Sequence, residues 1–395
     1  MDSPAIRFAV TSDGVRIAYT TWGEGPPLVV VPPIVSNVEM AWENDLYRRV
    51  FERLGQYVTV IAFDKRGIGM SDSFDEPPTN EHRIADFLAV MDAERVPRAH
   101  VSGLSEGGLM AQILAADRPD RVDRLVISNT YAPRGQRSTV ERLAEGHVMS
   151  REESMRRWAE VVERWGQPSR SSVDWIMPSQ ADNEAFLAFH ARLERQSATQ
   201  AGFRRQLESL SAMSTVGVPE RITAPTLITH TTGDRVINVG NGRALVQMIP
   251  NAELVEFPGE DHFYWVSDNW RDIIDAQLRF ITGGPVGPIV HRRFATVLFT
   301  DLVGSTAAAV EVGDDTWRET IEAHDQVARR IVEEHHGHVV KTTGDGVLAT
   351  FDGPSSAVEA ARALRRELHQ TGLPIRAGLH AGEIEIRDGD IAGFA

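Results

Sequence analysis

Short runs of β-branched and other apolar residues alternate with helical segments from Leu28 onward. This alternation is typical of βαβ units, and it predicts an α/β fold with a parallel sheet covered by helices. Several runs are apolar at every position, as expected for strands that are buried on both faces. The predicted strands are Leu28–Val31, Val58–Phe63, Ala99–Ser102, Leu125–Ser128, Thr226–His230 and Glu253–Phe257.

The strand pattern stops between about residues 131 and 218, where the sequence becomes charged and helical. Apolar residues recur there at helical spacing and predict one buried face of an amphipathic helix. They are Met155, Trp158, Val161, Val162 and Trp165. We interpret this segment as a helical cap inserted between two strands of the sheet.

A linker at residues 283–292 is predicted to separate two domains. The segment Thr282–Val290 has Gly or Pro at five of nine positions and no periodicity, which is typical of a connection between domains. The first predicted domain therefore spans residues 1–282. After the linker a new series of strands and helices begins and occupies residues 293–395, and a length of 395 residues accommodates both.

Charge and composition exclude several classes of protein. The chain has 41 basic and 56 acidic residues, a net charge of -15, and no Lys/Arg run with which to bind nucleic acid. It has no Cys, which excludes a disulfide framework, a thiolate nucleophile and a Cys-ligated zinc. No apolar stretch approaches the roughly 20 residues of a membrane span, and the N-terminus lacks a signal-peptide pattern. We expect a cytoplasmic protein.

Three motifs follow predicted strands in the first domain. The sequence Gly103-Leu104-Ser105-Glu106-Gly107 lies between a strand and a helical run, and G-x-S-x-G at that place predicts a sharp turn that needs both glycines. Gly233-Asp234 and Gly259-Glu260-Asp261-His262 follow later strands. Ser, Asp and His in this order, each at the carboxyl end of a strand, resemble the α/β-hydrolase superfamily.

The resemblance covers roughly residues 5–282 and implies a doubly wound, mostly parallel sheet with a helical cap. It implies that Ser105 is the nucleophile, His262 the general base and Asp234 the carboxylate that orients the imidazole. Such a site needs no cofactor. A serine at this position argues against the dehalogenase and epoxide-hydrolase branches, which use aspartate.

The same resemblance implies an oxyanion hole built from two backbone N–H groups. One is the N–H of Glu106, which follows the nucleophile. The second comes from the loop after the first predicted strand, where this chain has Pro32-Pro33. Because proline has no N–H, Ile34 is the expected second donor.

Two aspartates mark a second constellation. Phe299-Thr300-Asp301-Leu302-Val303-Gly304-Ser305-Thr306 places Asp301 at a strand end before a turn of small residues, and Lys341-Thr342-Thr343-Gly344-Asp345-Gly346 places Asp345 in the turn of a hairpin. Two carboxylates on adjacent strand ends suit a two-metal phosphoryl site. The N–H groups of Val303, Gly304, Ser305 and Thr306 are expected to receive phosphate oxygens.

This pair of motifs resembles the class III nucleotidyl cyclase domain over residues 293–395. The resemblance implies a ferredoxin-like α+β fold and conversion of ATP to cyclic AMP and pyrophosphate. It implies that Asp301, Asp345 and the carbonyl of Leu302 hold two Mg²⁺ or Mn²⁺ ions. Lys341 and Asp390 match the residues that select adenine, and the family forms its sites across a head-to-tail homodimer.

Members of that family continue past Asp390 with an Asn and an Arg, whereas this sequence ends at Ala395. We therefore expect an incomplete cyclase domain with little or no turnover in this chain. The leading hypothesis is an adenylate cyclase whose hydrolase domain acts on or senses a small ester or lipid-like ligand. The alternatives are a serine hydrolase with a vestigial cyclase piece and a non-catalytic, ligand-sensing module.

Overall fold

A computed structural model of the protein describes residues 3–287, 291–305, 309, 313–387 and 390–393. The chain divides into two compact units, Met1–Val286 and Gly287–Ala395. The division falls inside the predicted linker. The strand that opens the second unit begins at His291, so residues 291–292 of the predicted linker belong to a strand instead.

The first unit is built on an eight-stranded sheet. Its strands are β1 (Arg7–Val10), β2 (Arg16–Trp22), β3 (Pro27–Val31), β4 (Thr59–Phe63), β5 (Ala99–Leu104), β6 (Val122–Ser128), β7 (Thr226–Thr231) and β8 (Ala252–Phe257). Their order is β1-β2-β4-β3-β5-β6-β7-β8. The neighbours from β4 to β8 are parallel, which confirms the predicted, mostly parallel α/β sheet.

The two antiparallel strands β1 and β2 were not predicted. β1 exposes three of its four residues, so its sequence carries little apolar signal. β2 is buried at most positions, yet Arg16 and two threonines dilute its pattern. Pairing along the whole hairpin stabilises these strands, and that contribution is not visible in local hydrophobicity.

Ten α-helices in the described residues belong to this unit. They are α1 (Asp45–Gly55), α2 (Asn80–Ala93), α3 (Glu106–Asp117), α4 (Arg137–Leu143), α5 (Arg151–Glu163), α6 (Val173–Ile176), α7 (Glu184–Ser197), α8 (Gln200–Ala212), α9 (Gly240–Met248) and α10 (Trp270–Thr282). Helix α3 is buried from Glu106 to Ala116, which explains why its sequence is mostly apolar on every face. Helices α4 to α8 lie between β6 and β7 and form the cap.

The cap is hydrogen-bonded to the loops at the carboxyl edge of the sheet. Gly69 donates its N–H to the carbonyl of Ser197 at 2.7 Å, and His262 donates its N–H to the carbonyl of Ile176 at 2.8 Å. The predicted buried face of α5 is only partly correct. Val161 and Val162 are buried, but Met155 is 63% exposed.

The second unit contains a five-stranded antiparallel sheet. Its elements are β9 (His291–Leu302), α11 (Asp314–Glu334), β10 (Gly337–Thr342), β11 (Val347–Phe351), α12 (Pro354–Gln370), β12 (Ile375–Arg387) and β13 (Asp390–Gly393). The strand order is β10-β11-β9-β12-β13. Helices α11 and α12 share one apolar core with the sheet, in which Leu298, Val332, Phe351 and Leu364 are buried.

No helix within the described ranges combines the length and the apolar character that crossing a membrane requires.

Candidate active site

Ser105 lies on a strained turn between β5 and α3. Its φ of 57° and ψ of -122° are unfavourable for a residue with a side chain, and such strain costs about 1–3 kcal/mol. A Cβ on Gly107 would lie 2.5 Å from the carbonyl oxygen of Val31, and one on Gly103 would overlap the carbonyl of Gly107. Both glycines of the motif are therefore required by close backbone approach.

Asp234 and His262 form a buried pair at the carboxyl ends of β7 and β8. The Nδ1–H of His262 donates to Oδ2 of Asp234 at 2.7 Å. The other oxygen of Asp234 accepts the N–H groups of Val236 at 2.8 Å and Ile237 at 3.0 Å. A carboxylate held in this way fixes the imidazole tautomer and leaves Nε2 as the basic nitrogen.

That basic nitrogen is buried and has no hydrogen-bond partner among the residues that the structure describes. The hydroxyl of Ser105 likewise makes no hydrogen bond to a described residue, so the expected contact between Ser105 and His262 is not formed in this structure. Hydrogen bonds of this kind are often long in the absence of substrate and shorten in the complex.

The two expected oxyanion donors are both available. Ile34 and Glu106 are buried, and neither backbone N–H donates to an acceptor in the described part of the chain. Helix α3 packs directly on the loop after β3, because Gly107 approaches the carbonyls of Val31 and Pro32. The segments that carry the two donors therefore lie against each other.

A cluster of buried charges lies beneath this loop and was missed in the sequence. Lys65 donates from Nζ to Oε2 of Glu106 at 2.6 Å and to the carbonyl of Pro33 at 3.0 Å. Arg83 lies 2.8 Å from Oε1 of Glu106. Burial lowers the pKa of Lys65 to about 8. Burial alone would raise the pKa of Glu106, but Arg83 and Lys65 outweigh it and hold that pKa below its usual value.

Asp64 orders the same loop from the other side. Its carboxylate accepts the hydroxyl of Ser36 at 2.7 Å and the N–H groups of Val38 and Met70 at 3.0 Å each. Burial raises the pKa of Asp64 to about 6, although these hydrogen bonds oppose the shift. A side chain on Gly69, where φ is 58°, would overlap this carboxylate.

Asn129 is a further residue that the sequence did not reveal. It follows β6 with a φ of 42°, in the left-handed region. Its Nδ2 donates to the carbonyl of His262 at 2.6 Å, and its Oδ1 accepts the N–H of Thr231 at 2.8 Å. Asn129 thus connects the ends of β6 and β7 to the loop that carries His262.

In the second unit, the two motifs meet at the end of β9. The N–H of Leu302 donates to the carbonyl of Asp345 at 2.8 Å, and the hydroxyl of Ser305 donates to Oδ2 of Asp345 at 2.7 Å. Gly346 permits this approach, because a Cβ there would overlap the carbonyl of Thr300. The structure therefore places the turn that carries Asp345 beside the strand that ends with Asp301 and Leu302.

One expected phosphate donor is already engaged. The N–H of Val303 donates to the carbonyl of Pro374 at 2.8 Å, which extends the backbone pairing beyond β9, so the expectation of a free donor at Val303 is wrong. Gly304 is exposed in the same turn with a φ of 76°. Thr306 lies outside the described residues. Lys341 lies on β10 and Asp390 begins β13.

The donor set of this second site suits a hard divalent cation. Asp301, Asp345 and the Leu302 carbonyl supply only oxygen, which Mg²⁺ and Mn²⁺ prefer. Within the described ranges, no group of three or more His, Cys, Asp or Glu side chains is placed to hold a metal ion. Two carboxylates are nevertheless sufficient where substrate phosphates complete the coordination.

Fold and site together define the first unit as an α/β hydrolase with a serine at the nucleophile turn. The chain belongs to the alpha/beta hydrolase family, whose family model matches residues 28–276. It is 24% identical over 251 residues to 3-oxoadipate enol-lactonase 2 of Acinetobacter baylyi, covering 62% of this chain and 86% of that protein. The esterase RhEst1 from Rhodococcus sp. ECU1013 superimposes with a TM-score of 0.53 at 25% identity, covering 71% and 99% of the two chains.

The C-terminal region has a different relative. Over 127 residues the chain is 34% identical to an adenylate cyclase of Streptomyces coelicolor, which covers 31% of this chain and 33% of that protein. The chain thus matches about a third of that cyclase.

Proposed function

We propose that the first unit is a serine hydrolase that cleaves small carboxylic esters or lipid-like esters. The observation that carries the proposal is the buried Asp234–His262 pair, whose Nε2 has no partner in the described part of the chain and lies at the same edge of the sheet as Ser105 on its strained turn. The enol-lactonase and the esterase support this substrate class by their names, since a lactone is a cyclic ester.

The chemistry follows from the positions of these groups. The Ser105 hydroxyl adds to the ester carbonyl and gives its proton to Nε2 of His262. The N–H groups of Ile34 and Glu106 stabilise the resulting oxyanion. The ester C–O bond then breaks, and His262 returns the proton to the leaving alcohol. Water adds to the acyl-serine by the same proton route and releases the carboxylic acid.

A fluorophosphonate probe applied to the full chain tests the proposal. We expect covalent labelling of the wild type and none of Ser105→Ala, with matched loss of p-nitrophenyl acetate hydrolysis. The absence of a Ser105–His262 hydrogen bond keeps a ligand-sensing role as the competing function. A folded wild type that is neither labelled nor active would favour that role and refute the hydrolase.

For the second unit we propose an adenylate-cyclase-type nucleotide site. It rests on the contact of Asp345 with Leu302 and Ser305, and on the cyclase relative. Asp301, Asp345 and the Leu302 carbonyl are the residues that would hold Mg²⁺ or Mn²⁺, which supply charge neutralisation at the phosphates. We further propose that Lys341 and Asp390 contact adenine and that a homodimer completes the site in the cytoplasm.

Equilibrium binding of ATP with Mn²⁺ tests this site without requiring turnover. Asp301→Ala and Asp345→Ala should abolish metal-dependent binding and leave labelling of Ser105 intact. Asp352→Ala is the matched control, because it removes the same charge from the opposite end of β11. Loss of binding in the control, or retention in both test variants, contradicts the assignment. Lys341→Glu should shift the preference from ATP towards GTP.

A further inference from the structure

Lys65 joins the two segments that carry the oxyanion donors. Its ammonium is fully buried and donates to Oε2 of Glu106 at 2.6 Å and to the carbonyl of Pro33 at 3.0 Å. Glu106 carries one of the two N–H groups that find no acceptor among the described residues, and Ile34, which follows Pro33, carries the other. One ammonium group is therefore hydrogen-bonded to both segments that carry the expected oxyanion donors, through the Pro33 carbonyl and the Glu106 carboxylate.

The bond to Pro33 determines where the N–H of Ile34 points. The carbonyl of Pro33 and the N–H of Ile34 belong to one planar trans peptide, so they face in opposite directions. The ring of Pro33 fixes its φ but leaves its ψ free, and rotation about ψ swings this peptide as a unit. A donor on the carbonyl oxygen holds the peptide in one orientation and also polarises the N–H at its other end.

We propose that Lys65 is a positioning residue of the oxyanion hole, which holds the Pro33–Ile34 peptide so that the Ile34 N–H faces the reacting carbonyl. The inference rests on the proposed serine hydrolase activity. It concerns a residue that touches no substrate and acts through Pro33 and Glu106.

The surrounding charges explain why a lysine is stable in this place. Glu106 neutralises it, and Arg83 occupies the second oxygen of Glu106, so replacing Lys65 leaves the glutamate with one cationic partner. A buried ion pair contributes little net stability compared with apolar residues of similar size. Its presence beside the catalytic turn is better explained by the orientation that it imposes.

Lys65→Met removes the donor and retains the length of the side chain. We expect kcat for p-nitrophenyl acetate to fall 10- to 100-fold with KM within about threefold of wild type, somewhat less than loss of a whole oxyanion donor. Arg53→Met is the control, because Arg53 is equally buried and pairs with Asp275 on α10, away from the nucleophile turn. Its kcat should stay at the wild-type level.

A second measurement, by NMR, reports directly on the Pro33–Ile34 peptide and does not require turnover. With ¹³C-carbonyl proline and ¹⁵N-isoleucine, only the three Pro–Ile pairs, at residues 33–34, 288–289 and 374–375, give correlated amide signals. Ile34→Val identifies the first of them by its loss. Between pH 7 and 9.5 the Ile34 signal should shift in wild type and stay constant in Lys65→Met.

Charged neighbours do not obscure this titration. The groups that face Lys65 are Glu106, Arg83 and Asp64. The pKa of Glu106 is held below its usual value and burial raises that of Asp64 only to about 6, whereas the pKa of Lys65 is about 8, so Lys65 is the one of these three groups that titrates near pH 8.

The outcomes separate the two proposals. Wild-type protein that neither hydrolyses esters nor reacts with the fluorophosphonate refutes the hydrolase, while the Ile34 signal still decides whether Lys65 holds the peptide. A wild-type Ile34 signal that does not shift between pH 7 and 9.5 overturns the positioning role of Lys65. Equal kcat values for Lys65→Met and Arg53→Met in an active enzyme do so as well.

Discussion

His262 donates its Nδ1–H to Asp234 at 2.7 Å, and the opposite nitrogen of the same ring is buried without a partner in the described residues. The carboxylate of Asp234 is itself held by two backbone N–H groups, so its position is fixed. Rotation of the imidazole would therefore break the hydrogen bond to Asp234. This arrangement keeps Nε2 in its basic, unprotonated form and fixes the direction in which its lone pair points.

Asp234→Asn should lower kcat for ester hydrolysis by about 10³- to 10⁴-fold and change KM little. The amide can present its NH₂ to Nδ1 and so favours the wrong tautomer. Steady-state hydrolysis of p-nitrophenyl acetate gives both constants. Asp120→Asn, which changes an exposed carboxylate paired with Arg118, is the control and should match wild type. A kcat for Asp234→Asn within tenfold of wild type would argue against the role given to this pair.

Gly107→Ala should slow fluorophosphonate labelling at least tenfold. A Cβ at this position lies 2.5 Å from the Val31 carbonyl and 2.8 Å from the Pro32 carbonyl, so the loop that carries Ile34 must move. Overpacking of this kind also lowers the free energy of unfolding by about 1–3 kcal/mol. In Gly284→Ala the added Cβ makes only an ordinary van der Waals contact, 4.0 Å from Oγ1 of Thr282, so this variant should label at the wild-type rate. Equal labelling rates for the two variants would contradict the close packing of α3 on that loop.

The sequence predicted the parts of the site that depend on chain order. Parallel strands end at one edge of a sheet, so residues after successive strands meet there, and Ser105, Asp234 and His262 follow β5, β7 and β8. The glycines beside Ser105 were predictable for the same local reason, since the turn leaves no space for side chains.

The buried charges were not predictable in this way. Lys65 and Glu106 are 41 positions apart, and a charged residue in a sequence is ordinarily assigned to the surface. The sequence offered two signals: a lysine two residues after an apolar strand, and a glutamate at the start of a mostly apolar helix. Asn129 carried still less signal, because its role depends on a left-handed backbone and on contacts from two other strands.

In the second unit, Gly346→Ala should abolish Mn²⁺-dependent ATP binding. The added Cβ overlaps the carbonyl of Thr300, which forces the turn with Asp345 away from the end of β9. Isothermal titration with ATP in the presence and absence of Mn²⁺ measures the effect. Gly378→Ala lies on β12 with no atom near its Cβ, and its affinity should equal that of wild type. Retained binding in Gly346→Ala would show that the two motifs act separately.

The buried carboxyl of Asp64 should make stability depend on pH. Its pKa is about 6 in the folded protein and 3.8 in the unfolded chain, so folding favours the protonated form. The stability that this group contributes is therefore greatest at low pH and is lost as the pH rises through 6. Asp64→Asn removes the titration.

The free energy of unfolding of wild type minus that of the Asp64→Asn variant should fall by about 2 kcal/mol between pH 4.5 and 7.5. Urea denaturation followed by tryptophan fluorescence measures it, because seven of the eight tryptophans belong to the first unit. A difference that is constant or rises with pH would mean that Asp64 is ionised throughout and that its three hydrogen bonds, not burial, control its charge.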